Sequence, residues 1–349
     1  NGYASNGFDG IAIEGGTLNA TGTLWNDAGA PYRIIATPEV GAGKGLIIRP
    51  GVTIQMSSGK ELDVSGNLYA QGTTDAPIVF TDTETGIRKA AGQWGTIKFI
   101  PGSVGRMERC TVEFGGGTTA GLWVERGSDV TVTDSVIRFS KGMGLYYRTN
   151  VGAPPGRLLV ERSRFADNVQ GPGVNADWAS LDLGENSGGA AVVALRDSVV
   201  ERSGLSGARR TGVRLSGSLT VTGVVLEGNI IANNSTGVLL FDGSAAATIR
   251  CNRILNNTTG VALTGAQNGT IVESNDFGTT GLGNTTWNLQ NTSSSLLFQA
   301  PRNWWGVNPA SSYDLAAIRV TGSGYVAPVS ASLGPQVDPA GTSAGPLSG

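Results

Sequence analysis

Histidine is absent from this 349-residue chain, cysteine occurs twice, methionine three times, and only 15% of residues are charged. Without imidazole the commonest metal ligand and the usual general base near neutral pH are missing, so Ser-His-Asp hydrolysis, Cys-His proteolysis and histidine zinc sites are excluded. Two cysteines do not make a disulfide framework. With 25 lysines and arginines against 27 aspartates and glutamates, the net charge is −2, which gives no reason to expect nucleic acid or an anionic membrane as partner. No apolar run approaches the ~20 residues that span a bilayer, so no transmembrane segment is expected.

What the chain has in excess is glycine, 54 residues, about double the ordinary share. There is no three-residue collagen period, and the apolar content is too high for disorder. Much of the glycine follows a repeat. Glycine followed by apolar, variable and apolar residues recurs from Gly121, Gly144, Gly173, Gly212, Gly237 and Gly260, at spacings of 23, 29, 39, 25 and 23. A second apolar segment follows a small polar residue in each repeat, as at Ser135, Ser163, Ser198, Asn229, Asn252 and Asn275, and Asn233-Asn234 and Asn256-Asn257 stand behind two of them. Short alternating segments bounded by Gly, Asn and Ser are strands. Two or three strands in each ~23-residue unit, stacked on the next, make an all-β parallel solenoid of about 10–12 coils.

Stacking places equivalent residues about 4.8 Å apart. One inward column is then Ile97, Leu122, Leu145, Val174, Val213, Val238 and Val261, and the Ser/Asn series becomes a polar ladder that satisfies turn backbone. Cys110 and Cys251 fall five coils apart, about 24 Å, too far for a disulfide, and read as two buried thiols. Residues 1–44 are expected to hold a cap and the first strands, residues 45–306 the solenoid, and residues 307–349 a cap segment and a Gly/Ser/Pro-rich tail. Such a tail suits a linker within a larger surface protein or assembly.

The run 46–80, the segments 92–99 and 108–116, and the closing Asn303-Trp304-Trp305-Gly306 resemble the bacterial secreted right-handed parallel β-helix proteins, of the pectate-lyase-like and NosD-type superfamily. The resemblance implies a right-handed helix, export to the cell surface or beyond, and a polysaccharide or cell-envelope component as partner. That superfamily holds lyases and glycosidases as well as adhesins and structural proteins. The aspartate, histidine and Arg-Ile-Lys set of its polygalacturonase-like enzymes has no counterpart here, nor has the Trp-Ile-Asp-His segment of its pectate lyases.

The outward column beside the core is expected to run Lys98, Trp123, Tyr146, Asn175, Arg214, flanked by Glu125, Arg148 and Asp177. Flat rings bordered by charge suit sugar rings, so Lys98, Trp123, Tyr146, Arg148, Asp177 and Arg214 form the expected binding face. The alternative is that the inserts at 149–158 or 177–190 fold over the rings as ordinary packing. If the chain is an enzyme, a polysaccharide lyase or glycosidase with a histidine-free site, then Asp177, Arg148 and Glu125 are its candidate catalytic groups. An arginine between two carboxylates would lower both, however, whereas a general acid needs one raised. No cofactor is expected, and calcium has only weak support in Asp177, Asp182 and Glu185 of the acidic insert. The reading is therefore a non-catalytic extracellular module, carbohydrate-binding, adhesive or structural in the envelope.

Overall fold

The computed structural model describes residues 10–84, 86–148, 156–171, 178–184, 192–205, 207–216, 224–241, 247–264, 269–278, 282–292, 297–300, 302–305, 318–320 and 325–327. Their strands form three parallel sheets of 10, 12 and 12 strands. Sheet I begins at Ile11–Ile13, sheet II at Gly16–Leu18 and sheet III at Thr23–Trp25. Each coil adds one strand to each sheet, so the chain is the parallel β-helix that the repeat predicts. Sheets II and III end at Ile318–Val320 and Tyr325–Ala327, so the stack continues past residue 306.

The core is a stack of thin apolar layers. On sheet II the register runs Ile97, Leu122, Leu145, Leu181, Val213, Val238 and Val261, each closed to solvent. Burying such a side chain is worth about 1.5–3 kcal/mol. One rung differs from expectation. The strand after Met143–Arg148 is Ala179–Asp182, so Leu181 and Asp182 occupy the places assigned above to Val174 and Asn175. The glycine signature at 173 is a coincidence of spacing, since Ser180, not a glycine, fills that rung.

Glycine recurs at the second position of the sheet II strands because a corner side chain, an asparagine amide in most coils, sits where its Cβ would be. A Cβ on Gly144 would lie 2.7 Å from Asn168 Nδ2, and one on Gly237 would lie 3.0 Å from Asn257 Nδ2 and 2.6 Å from the Gly260 carbonyl. Those asparagines belong to a corner ladder between sheets I and II, in which the Asn234 N–H donates to Asn257 Oδ1 and the Asn257 N–H to Asn284 Oδ1.

A second ladder turns the chain from sheet III into sheet I. The backbone N–H of Cys110 donates to Ser135 Oγ, Ser135 to Ser163, Ser163 to Ser198, Ser198 to Asn229 Oδ1, and so on through Asn252 and Asn275 to Asn303. The serine hydroxyls donate back within their own coil, as Ser163 Oγ does to the Glu161 carbonyl. Asn252 Nδ2 instead donates to the Leu226 carbonyl one coil away and to Asn275 Oδ1 on the other side. The residue before each rung is left-handed, including Arg109, Asp134, Arg162, Asp197 and Cys251 at φ of 47°, 51°, 46°, 48° and 55°. Non-glycine residues adopt that region at a cost of about 1–2 kcal/mol, offset here by the ladder bonds. Cys251 therefore projects outward and is exposed while Cys110 is buried, which corrects the expectation of two buried thiols.

Candidate functional site

The outward face of sheet II carries a continuous column, Asp63, Lys98, Trp123, Tyr146, Asp182 and Arg214. Alternation puts these side chains outside while their neighbours fill the core. Trp123 and Tyr146 lie on adjacent rungs with ring centroids 5.7 Å apart and planes tilted by 54°. Both rings are half-buried, so they are neither free on the surface nor sealed away. Lys98 Nζ stands 4.8 Å from the Trp123 ring centroid and 3.4 Å from Glu125 Oε1. On the other side Arg214 Nη1 reaches Asp182 Oδ2 at 3.4 Å and its guanidinium covers Phe241 at 4.7 Å. The Trp123 indole N–H is buried and has no acceptor among the described residues.

Of the residues expected in the site, Lys98, Trp123, Tyr146 and Arg214 share one column, and Arg148 is exposed beside Glu125 on the neighbouring column. Glu125 is buried rather than outward in solvent, with Lys98 Nζ 3.4 Å from its carboxylate. Asp182, expected only as a weak calcium ligand, instead holds the rung between Tyr146 and Arg214. Asp177 and Glu185 lie outside the described residues. Among the described residues no group of three carboxylates or thiols is gathered as a metal would need.

Sequence reasoning missed the acidic end of the face. Asp63 is the rung before Lys98, and Glu61 is two residues earlier on the same strand side. Burial raises both carboxyls above the ordinary carboxylate range, and Asp63 raises Glu61 further. The signal was present in Leu62-Asp63-Val64, whose apolar, polar, apolar order matches Ile97-Lys98-Phe99. Burial also raises the Tyr146 phenol, with Arg148 opposing and Asp182 adding to the shift. The face thus offers two tilted rings and a rim of alternating charge. Such a surface can stack on an apolar ligand face and bond to hydroxyls at its edges.

A second concavity lies at the corner between sheets I and II. There the hairpin Gly204–Leu205 with Ala208–Arg209, the one antiparallel pair among the described residues, rises beside the asparagine ladder. It overlooks a cleft of about 880 Å³. Gly204 and Gly207 bend the hairpin at φ of 82° and 83°. No signal chosen in the sequence pointed there, since Asn233 and Asn256 read only as turn residues.

Comparison with known families gives a match to the one described as "Right handed beta helix region" over residues 102–277, half of the chain. No curated protein and no solved structure matches the chain significantly. Among the described residues no helix is long and apolar enough to cross a membrane.

Proposed function

Because the chain belongs to the right-handed β-helix family, a rigid scaffold able to hold a flat face in register, we propose that it is a non-catalytic extracellular or cell-surface module that binds carbohydrate. The observation that carries this reading is the Trp123–Tyr146 pair, half-exposed, 5.7 Å apart and bordered by Lys98, Asp182 and Arg214. Rings in this arrangement cover the apolar face of a sugar, and the charged rim bonds to its hydroxyls. Its partner would be a polysaccharide or another envelope component, with Arg148 and the insert carrying Asp177 at the margin of the contact.

The test is a glycan array followed by titration. A polysaccharide ligand is expected to bind the natural chain and to lose at least about tenfold in affinity, about 1.4 kcal/mol, in a Trp123→Ala/Tyr146→Ala variant. Absence of any retained glycan, or unchanged affinity in the double variant, would end the proposal.

One observation favours the alternative of a lyase or glycosidase. Glu61 and Asp63 keep their protons more tightly than ordinary carboxyls, a property suited to a general acid. Incubation with uronate and neutral polymers, read by unsaturated product and by new reducing ends, separates the two. Turnover that disappears in Asp63→Asn would make the chain an enzyme.

A further inference from the structure

The corner cleft has the chemistry of a binding site distinct from the aromatic face. Three arginines line it, Arg164, Arg202 and Arg209, against one lining carboxylate, Glu201. Glu201 is shared by Arg164 and Arg202, and Arg202 is further held by Asp167 through two bonds of 3.0 and 2.9 Å. Arg209 is different. One of its guanidinium nitrogens, Nη1, donates to the Arg202 and Gly204 carbonyls at 3.1 and 3.0 Å, which fixes the side chain, and it forms no ion pair among the described residues. It is a positioned cation with no carboxylate partner among the described residues.

The other wall presents neutral polar groups. Asn233 and Asn256 are equivalent residues of successive coils, at φ of 59° and 52°, and both line the cleft. Their neighbours Asn234 and Asn257 turn inward and are consumed by the ladder. The Asn233 and Asn256 carboxamides make no hydrogen bond among the described residues, nor do the hydroxyls of Thr258 and Thr285 on the same wall. The same carboxamide recurring about 4.8 Å along the axis meets a ligand that repeats its own hydroxyls. An arginine fork meets a carboxylate.

From this placement we infer that the cleft between the 204–209 hairpin and the asparagine corner binds an acidic oligosaccharide, with Arg209 on a sugar carboxylate and Asn233, Asn256 and Thr258 on ring hydroxyls. The site is independent of the aromatic face and stands or falls without it.

Calorimetric titration of the whole chain with a uronate oligosaccharide, and with a neutral oligosaccharide of equal length, tests it. The uronate is expected to bind, more weakly as salt rises, and the neutral sugar to bind at least about tenfold less well. Arg209→Gln should reduce uronate affinity at least about tenfold. Asn256→Gly keeps the left-handed turn while deleting the carboxamide, and should weaken binding several-fold with an unchanged far-ultraviolet spectrum. Arg49→Gln, at an exposed arginine after the sheet III strand Gly45–Ile48, should bind the uronate as the natural chain does. No uronate binding, or equal binding by Arg209→Gln and Asn256→Gly, overturns the inference. So does loss of binding confined to the Trp123/Tyr146 variant, which would move the acidic sugar to the sheet II face.

Discussion

The Asn252 side chain makes four hydrogen bonds at a position closed to solvent, accepting from the N–H and Nδ2 of Asn229 and donating to the Leu226 carbonyl and Asn275 Oδ1. Replacing it with alanine leaves the Asn229 N–H buried without an acceptor, so a loss of roughly 2–3 kcal/mol is expected in chemical denaturation. Gly237→Ala should also destabilise, through the 2.6 Å approach of its Cβ to a carbonyl rather than through φ. The two cysteines give a further check. Burial pushes the Cys110 thiol up to about 12, whereas Cys251 is exposed. A thiol reagent should therefore titrate one group in the folded protein and two in denaturant, and a count of zero or two when folded would contradict the structure. Sequence spacing placed both cysteines in the correct coils. It could not show that Cys251 takes the left-handed turn position, occupied in earlier coils by Arg109 and Asp134.

At the scale of the strand, alternation of apolar and polar residues was legible because each strand has one face in the core. Register was legible only where the glycine tag is real. The tag marks contact with a corner side chain, Ser140 at Gly121 and an asparagine from Gly144 onward, and in Ala179–Asp182 that place goes to Ser180, so the tag at Gly173 misled. Asp63 and Glu61 escaped notice for the converse reason, since their strand carries no tag at all. Their electrostatics have a measurable sign. The Glu61 carboxyl is raised by burial and by Asp63, so the folded state holds its proton more tightly than the unfolded chain. Stability from this group is present below the ordinary carboxylate range and is lost as pH rises through the folded value. Glu61→Gln is therefore expected to raise the urea midpoint at neutral pH and to bring no gain in acid, and equal midpoints at neutral pH would refute the assignment.

Across the whole molecule, the strands of each coil pair only with those of the neighbouring coils, so stability is close to a sum of local terms. Trp305 stacks on Phe277 at 4.9 Å and 6°, and is almost closed to solvent. Trp305→Ala is expected to cost about 3–4 kcal/mol, and hydrogen exchange should show that loss in strands near Arg253–Leu255 and Trp287–Asn291 while Leu62–Val64 keeps its protection. Uniform loss would mean that the coils unfold as one unit. Trp304 and Trp305 close over Asp276 and Phe277, but strands of sheets II and III continue beyond them, so they do not cover a last layer. The corner cleft was not legible, because it depends on which of two adjacent asparagines turns outward, and on a hairpin of two-residue strands.

The change from serine to asparagine in the ladder between sheets III and I has a mechanical consequence. Up to Ser198 a rung ties one coil to the next by a single backbone donor, while its hydroxyl serves its own coil. From Asn229 onward each side-chain amide also grips the coil on either side. Stretched along its axis, the protein is a spring in two grades, compliant over the serine coils and stiff over the asparagine coils, and a force-extension trace should yield first on the serine side.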